Sequence, residues 1–297
     1  DIYKFKLDYL FKMKKLFITA LIALNSICCM AQVNWQSNPV GAVFAREGGE
    51  MPEGIFKLTN GGYEVYTLVT ADKGFQPASL YYGPGDADKA KVDAMSPSGE
   101  VPTSMSCFVV KTPEGYIMFD TGLPAAKGGK TLERLATLNI KPSEIKEIYL
   151  THEHFDHIGG LLDESGNAEF TNATLYVPAA ELAFIKETMG NTGAQIEKAY
   201  AGRLVSFESG ELLNVNVMPI AAKGHTPGHT AYQLGSLLFV GDLMHGPALQ
   251  LIDPDICANY DANRAEAIAS RKRILSYAVA NSLTVLDAHV PINGVLF

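Results

Sequence analysis

The chain has 297 residues, of which 47% are hydrophobic and 19% are charged, and its formal net charge at pH 7 is −8. This length is enough for one large globular domain or two small ones. An acidic surface repels nucleic-acid phosphates, and no block of Lys or Arg beyond residue 31 suggests a nucleic-acid groove. Composition and charge therefore exclude nucleic acid as a partner.

The N-terminal region has the pattern of a secretory signal peptide. Lys14 and Lys15 form a basic start, and residues 16–28 form a mostly apolar stretch that is too short to span a bilayer comfortably. Ala31 ends a small-x-small cleavage site, which predicts Gln32 as the mature N-terminus. An uncleaved membrane anchor is the alternative interpretation.

Twelve residues precede the predicted signal peptide. The first residue is Asp, and Met13 stands directly before the basic residues. We therefore interpret residues 1–12 as an upstream non-native segment and residues 13–31 as the signal peptide. Removing residues 1–31 takes away five lysines and two aspartates, which lowers the formal charge to −11. We expect an exported bacterial protein, periplasmic or extracellular, with no stable membrane insertion after cleavage.

The remaining chain is predicted to contain one domain. Residues 32–62, rich in Gly, Pro and polar groups, are predicted to be an irregular lead-in, and the domain covers residues 63–297. A Gly, Pro, Asp and Ser-rich stretch at 83–102 predicts a loop. Apolar, β-branched and aromatic runs predict strands. These strands cover residues 63–70, 106–111, 116–119, 145–150, 212–219, 231–234, 237–240 and 283–286.

Two helices are predicted in the second part of the chain. Apolar residues at helical spacing indicate a helix at 178–201, which Gly190 and Gly193 favour splitting into two. A second helix is predicted at 263–281. Each half of the domain therefore places strands before helices, and each ends strands on loops that carry His and Asp.

Two cysteines, Cys107 and Cys257, remain after the predicted cleavage. They could form one disulfide in an oxidising compartment. We favour the simpler interpretation, in which both are small buried hydrophobic residues.

The histidines are the most informative residues. All seven lie between His152 and His289. Three occur in the hexapeptide HEHFDH at residues 152–157, and two occur in the heptapeptide GHTPGHT at residues 224–230. Asp242 follows in a Gly-Asp-Leu sequence. Histidines scattered for packing would not be grouped in this way, so the pattern predicts a metal site.

The spacing of these residues favours two metals. Imidazole and carboxylate are ligands for zinc and similar divalent metals. His152 and His154 follow an apolar strand directly, so that a loop can turn both rings to one side and present Asp156 and His157 to a neighbouring point. A shared Asp and a bridging hydroxide would hold two metals about 3.5–4 Å apart. We predict two Zn²⁺ ions, with Fe, Mn or Co as the alternatives.

The order of these motifs resembles a known family. The HEHFDH motif, with FDTG upstream at residues 119–122 and Gly-His, Gly-Asp and a late His downstream, is similar to the metallo-β-lactamase superfamily of hydrolases. The similarity extends from about residue 63 to the end of the chain. It implies an α+β fold, a four-layer αββα sandwich, which agrees with the two strand-then-helix halves.

The resemblance also implies a role for each motif residue. Asp120 would fix a loop or a ligand imidazole from outside the centre. His225 is taken as a ligand because it is the first His of the His-Thr-Pro-Gly-His pattern, and His229 would support the site from behind. The first metal is assigned to His152, His154 and His225, the second to Asp156, His157 and His289, and the bridge to Asp242.

The implied chemistry is hydrolysis. Bound metals lower the pKa of water, so that a metal-bound hydroxide forms near neutral pH and attacks a carbonyl or phosphoryl centre without a Ser or Cys nucleophile. The predicted catalytic residues are Asp156, a ligand and proton acceptor, Asp242 and His245. The functional interpretation of His245 is a donor to the substrate oxygen, since related lactonases have a tyrosine at this position. The alternative is a loop histidine without a role.

Further motifs resemble the methyl parathion hydrolase and N-acyl-homoserine lactonase branch of the superfamily. They are GHTPGHTAY at 224–232, GDL at 241–243, RKR at 271–273 and AHVP at 288–291. The implied activity is hydrolysis of a small lactone, ester or phosphotriester, and a homodimer is left open. The chain stops eight residues after His289, where relatives usually continue, which indicates a truncated C-terminus.

Two alternatives remain open. One is a thioesterase similar to glyoxalase II. The other is a protein of the same fold without hydrolytic activity, either a mononuclear iron enzyme that oxidises sulfur or a metal-binding module without turnover. Antibiotic hydrolysis is disfavoured because true zinc β-lactamases usually lack the His157 equivalent. An oxygen or nitric-oxide reductase is disfavoured because flavo-di-iron proteins have Glu where His154 stands, and a nuclease is disfavoured by the acidic charge.

Overall fold

Two β-sheets packed face to face organise the domain. The computed structural model describes residues 51–291 and 293–296. The predicted upstream segment, the predicted signal peptide and the lead-in up to residue 50 lie outside the described residues. Within the described part, no helix is long and apolar enough to cross a membrane.

The first sheet has seven strands in sequential order, β1 to β7. Neighbouring strands are antiparallel from β1 to β4 and parallel from β4 to β7. The strands are β1 Ile55–Asn60, β2 Tyr63–Pro77, β3 Glu100–Thr112, β4 Gly115–Phe119, β5 Ile145–Tyr149, β6 Thr174–Pro178 and β7 Leu204–Phe207.

The second sheet has four strands in the order β11-β10-β9-β8. Strands β8, β9 and β10 are antiparallel, and β11 joins β10 in parallel. The strands are β8 Met218–Ala221, β9 Thr230–Leu234, β10 Leu237–Phe239 and β11 Thr284–Leu286.

Helices lie in the connections and on the outer faces of the sheets. The longest, α7, begins after Asn263, whose side chain accepts a hydrogen bond from the backbone N–H of Glu266 and so caps the helix. The helices are α1 Asp86–Met95, α2 Thr131–Thr137, α3 Phe155–Ile158, α4 Ala179–Thr188, α5 Asn191–Ala199, α6 Pro247–Gln250 and α7 Arg264–Ala280. Short 3-10 turns occupy Ala78–Tyr81, Ala125–Lys127, Pro142–Glu144 and Asn214–Asn216.

Alternation along the strands divides the core into layers. Side chains such as Phe119 of β4 and Phe239 of β10 fill the space between the sheets, and their rings stack with centroids 3.8 Å apart. The other face of the first sheet packs against α2, α4 and α5, and the outer face of the second sheet packs against Ile274 and Ala278 of α7. The predicted four-layer αββα sandwich is confirmed.

Several predicted elements are found in place. The 106–119 hairpin is present as β3 and β4, and the 178–201 helix is split into α4 and α5 around Gly190. Cys107 and Cys257 are both free and buried, as small hydrophobic residues would be.

The predicted lead-in is wrong for Ile55–Asn60, which forms β1 and pairs with β2. Gly61 and Gly62, both with positive φ, make the tight turn between these strands.

Two other predictions are wrong because local composition was a poor guide. The 83–102 loop contains α1, a polar helix in which only Val92 is fully buried, so the segment has little apolar periodicity. The 212–219 strand is instead a 3-10 turn at Asn214–Asn216 followed by β8. Strands β6 and β7, which were not predicted, are only five and four residues long.

Candidate metal centre

The polar residues of the site lie on the loops, and in the short helix α3, that follow strands. Asp120 follows β4, the HEHFDH segment follows β5, Asp242 follows β10 and His289 follows β11. His225 lies in the loop between β8 and β9. Because the two sheets pack face to face, these strand ends bring ligand-type side chains from both sheets to one edge.

Three imidazoles converge on the first point. The Nδ1 atom of His154 lies 2.8 Å from Nε2 of His225 and 3.1 Å from Nε2 of His152. Ligands 2.0–2.1 Å from a tetrahedral zinc ion are about 3.3 Å from one another. The three nitrogen atoms therefore have the separation that one shared cation requires.

A second group lies beside the first. The Nε2 atoms of His157 and His289 are each 3.7 Å from Oδ2 of Asp156. Both histidines are buried, while Asp156 is partly exposed. These three side chains form a separate set of candidate ligands.

Asp242 lies between the two groups. Its Oδ1 atom is 2.8 Å from Nε2 of His157, and its Oδ2 atom is 3.1 Å from His289 and 3.3 Å from His225. Oδ1 of Asp242 and Nε2 of His157 are buried and, although they are this close, make no hydrogen bond to each other or to any other described residue. Buried polar atoms rarely lack a partner, so these two atoms are candidates for binding a metal ion. The donor set thus fits two divalent cations, and the ligand roles stay a prediction.

The charges at the centre favour a cation. Burial opposes ionisation of Asp242, but the neighbouring His157, His289 and His152 outweigh it and hold the pKa of this carboxyl well below its usual range. Burial likewise opposes protonation of His289, yet Asp242 and Asp156 raise its pKa to about 9. The carboxylates therefore favour positive charge here, whether a proton or a metal supplies it.

Further partners fix the ligand rings from outside. Asp120 bonds Nδ1 of His157 at 2.8 Å and accepts the backbone N–H of Thr151 at 2.8 Å. Asp261 bonds Nδ1 of His225 at 2.9 Å, and the carbonyl of Ser104 bonds Nδ1 of His289 at 2.7 Å. Each contact leaves the Nε2 atom of its ring free for the centre.

His229 supports the loop of Asp242. Its Nε2 atom accepts the backbone N–H of Asp242 at 3.2 Å, and its Nδ1 atom bonds the carbonyl of Ala222 at 3.0 Å. Burial lowers the pKa of His229 to about 3, so the ring stays neutral and can accept. Because both nitrogen atoms are occupied, the geometry agrees with the supporting role expected from the sequence.

The structure places His245 inside the centre. Its Nε2 atom is 3.1 Å from Oδ2 of Asp242, and its ring centroid is 4.6 Å from that of His225. Its Nδ1 atom is buried without a hydrogen-bond partner in the described part of the chain. The ring of Tyr260 packs edge-on against it, with centroids 4.8 Å apart. His245 could thus contact either a metal or a substrate.

Several residues of the site carry no signal in the sequence. Asp261 contacts His225 from a turn before α7, and Glu181 and Asp287 bond to the backbone of ligand loops. None of these three belongs to a recognisable spacing. Tyr260 covers the centre from the same turn as Asp261 and remains 39% exposed.

Similarity to known sequences agrees with this geometry. A profile of the Metallo-beta-lactamase superfamily matches residues 102–281. The chain is 32% identical over 116 residues to hydroxyacylglutathione hydrolase of Aeromonas hydrophila subsp. hydrophila. The aligned segment covers 38% of this chain and 37% of that protein. The same enzyme of Yersinia pestis (strain Pestoides F) is 32% identical over 119 residues, 39% of this chain and 40% of that protein. The chain therefore matches well under half the length of these relatives.

Similar solved structures cover much more of the chain. The hydrolase AbOPH of the beta lactamase superfamily aligns with a TM-score of 0.71 at 24% identity, over 83% of this chain and 93% of AbOPH. AidC, a dizinc quorum-quenching lactonase solved in complex with a product, N-hexanoyl-L-homoserine, aligns with a TM-score of 0.70 at 25% identity, over 82% of this chain and 93% of AidC. The AbOPH alignment shows a shared fold.

Proposed function

The chain belongs to the metallo-beta-lactamase superfamily, and from that premise we propose that it is a metal-dependent hydrolase, a dinuclear zinc enzyme that acts on neutral lactones, esters or phosphotriesters. The observation that carries the proposal is the position of Asp242 between two sets of three ligands, with oxygen atoms facing both. A carboxylate in this position can hold two cations together.

The chain's own residues prepare the site for hydrolysis. When bound, two divalent cations would act as Lewis acids and activate water. Asp120 and Asp261 hold His157 and His225 in one tautomer, and burial of these rings keeps bulk water from competing for them. Asp156 is the partly exposed carboxylate of the centre, so it can accept a proton at the substrate side. His245 has one unpartnered ring nitrogen, which supports a role in binding a substrate oxygen.

The substrate class is inferred from charge and from the structural neighbour AidC, a dizinc quorum-quenching lactonase. The formal charge of −8 disfavours polyanionic substrates. A thioesterase is the second candidate, because hydroxyacylglutathione hydrolases match part of this chain at 32% identity. The acidic charge weighs against a glutathione thioester, which carries carboxylates itself. Export through the 13–31 segment is part of the same proposal and is supported by the sequence pattern.

One experiment tests both the metals and the substrate. The purified protein should contain two zinc ions per chain by elemental analysis. It should hydrolyse a neutral lactone or aryl ester faster than a glutathione thioester, a cephalosporin or a nucleic acid. One iron per chain with sulfur oxidation would contradict the dinuclear proposal, and a preference for the thioester would favour the second candidate.

A further inference from the structure

Glu181 is a buried carboxylate that contacts two loops of the metal centre. It lies in the first turn of α4, and its side chain is fully buried. Its Oε1 atom accepts the backbone N–H of Glu153 at 2.8 Å. Its Oε2 atom accepts the hydroxyl of Thr226 at 2.8 Å and the backbone N–H of Gly228 at 2.9 Å.

These partners adjoin the three imidazoles of the first group. Glu153 lies between His152 and His154 in the loop after β5, which belongs to the seven-stranded sheet. Thr226 directly follows His225, in the loop that enters the four-stranded sheet. One carboxyl group therefore connects ligand loops that come from different sheets.

The fit between α4 and the second loop is tight. A Cβ atom at Gly228 would lie 2.2 Å from the backbone nitrogen of Glu181, so only glycine lets the loop approach the helix this closely. Burying a carboxylate is costly unless hydrogen bonds compensate it. All three hydrogen bonds described for Glu181 go to the ligand loops, and none goes to the body of the sheet.

We propose that Glu181 is a positioning residue for the first metal site, where it fixes His154 and His225 relative to each other across the two sheets. This inference rests on the proposed assignment of the first-site ligands. The second group has its own support, because Asp287 accepts the backbone N–H groups of His289 at 2.9 Å and Met244 at 3.2 Å. The effect of Glu181 is therefore confined to the first site.

The test is the substitution Glu181→Gln. The amide has the same size but offers one acceptor oxygen where the carboxylate offers two, so at least one backbone N–H, of Glu153 or of Gly228, loses its partner. Glu147→Gln is the matched control. Glu147 is also buried and accepts hydrogen bonds, but from Tyr149 and Asn214, which are not members of the ligand groups.

Zinc affinity is measured one site at a time, by competition with a chromophoric chelator at pH 8. In a His289→Ala background, which lacks a second-site ligand, Glu181→Gln should weaken binding about 10–100-fold. In a His225→Ala background, which lacks a first-site ligand, Glu181→Gln should change the zinc affinity of the second site less than twofold. Glu147→Gln should leave both affinities within twofold, even where it lowers the melting temperature as much as Glu181→Gln does.

Unchanged first-site affinity in Glu181→Gln, or equal losses at both sites, would overturn the inference. If that variant does not fold, Thr226→Val removes one donor and should weaken the first site about tenfold, whereas Thr226→Ser keeps the hydroxyl and should not. Equal affinities of these two variants would also overturn it. A parent protein that binds no zinc refutes the proposed function, whereas two bound zincs with an unaffected Glu181→Gln variant refute the positioning role alone.

Discussion

His229 and His225 are close in sequence but should respond differently to substitution. His229→Ala removes a buried ring that pairs with the backbone N–H of Asp242 and the carbonyl of Ala222. Each buried backbone group left unpaired costs about 1–3 kcal/mol, so the metal-free protein should lose about 2–6 kcal/mol of unfolding free energy. For a domain of this size, that corresponds to a decrease in melting temperature of roughly 4–24 °C.

The effect of His229→Ala on metal binding should be indirect. The substitution frees the backbone of Asp242 but removes no proposed ligand, so metal affinity and turnover should fall about 10–100-fold without loss of stoichiometry at saturating zinc. His225→Ala removes a proposed ligand and should abolish both turnover and first-site metal. Because the ring of His229 is neutral at neutral pH, His229→Gln, which offers a donor and an acceptor, should recover part of the loss.

The comparison needs two measurements on each variant. Elemental analysis after gel filtration in excess zinc gives metal ions per chain, and thermal unfolding after chelation gives the stability of the metal-free protein. Cys257→Ser, at a free buried cysteine outside the centre, controls for the general cost of disturbing the core. If His229→Ala lost one metal per chain while His225→Ala retained two, the assignment of the two histidines would be reversed.

Three further predictions concern the bridge, the pH dependence and the substrate. Asp242→Ala should lose the second metal preferentially, and two metals per chain with full activity would contradict a bridging role. Burial raises the pKa of Glu181 from 4.5 to about 7, so the folded metal-free protein binds a proton that the unfolded chain releases between these values. The contribution of Glu181 to the stability of the metal-free protein should therefore fall as pH rises from 4.5 to 7. The difference in unfolding free energy between the parent and Glu181→Gln, measured by urea unfolding at each pH, should shift against the parent over this range. The hydrolysis rate of a neutral lactone should depend little on salt concentration. The hydrolysis rate of a polyanionic ester should be low and should increase as the salt concentration is raised. A rate for the polyanionic ester that decreases with salt would exclude repulsion by the acidic surface.

The sequence was sufficient for the fold class and for the residues that meet at the centre. The HEHFDH segment follows an apolar strand, so its position at a strand end follows from local pattern alone. The αββα layers follow from the family resemblance and from strands that precede helices. These features depend on residues that are near neighbours in the chain or that belong to a specific motif.

Other parts of the site depend on contacts that local pattern does not encode. Asp261 meets His225 across 36 residues of chain, and Glu181 meets Gly228 across 47. Their contacts arise only after helices and sheets have packed, and a lone acidic residue is usually a solvated one. The polar helix α1 was missed for a related reason, since a helix with one fully buried residue has almost no apolar stripe to detect.

The order of ligands along the chain has a consequence for biosynthesis. Each group combines residues after β5 with residues from the four-stranded sheet, so neither can form while only the first sheet has been made. Synthesis proceeds from the N-terminus. The first group becomes complete at His225, whereas the second waits for His289. A chain that ends between Asp242 and His289 would carry all the proposed ligands for the first metal and lack one for the second, so only the first site could be filled in such a chain.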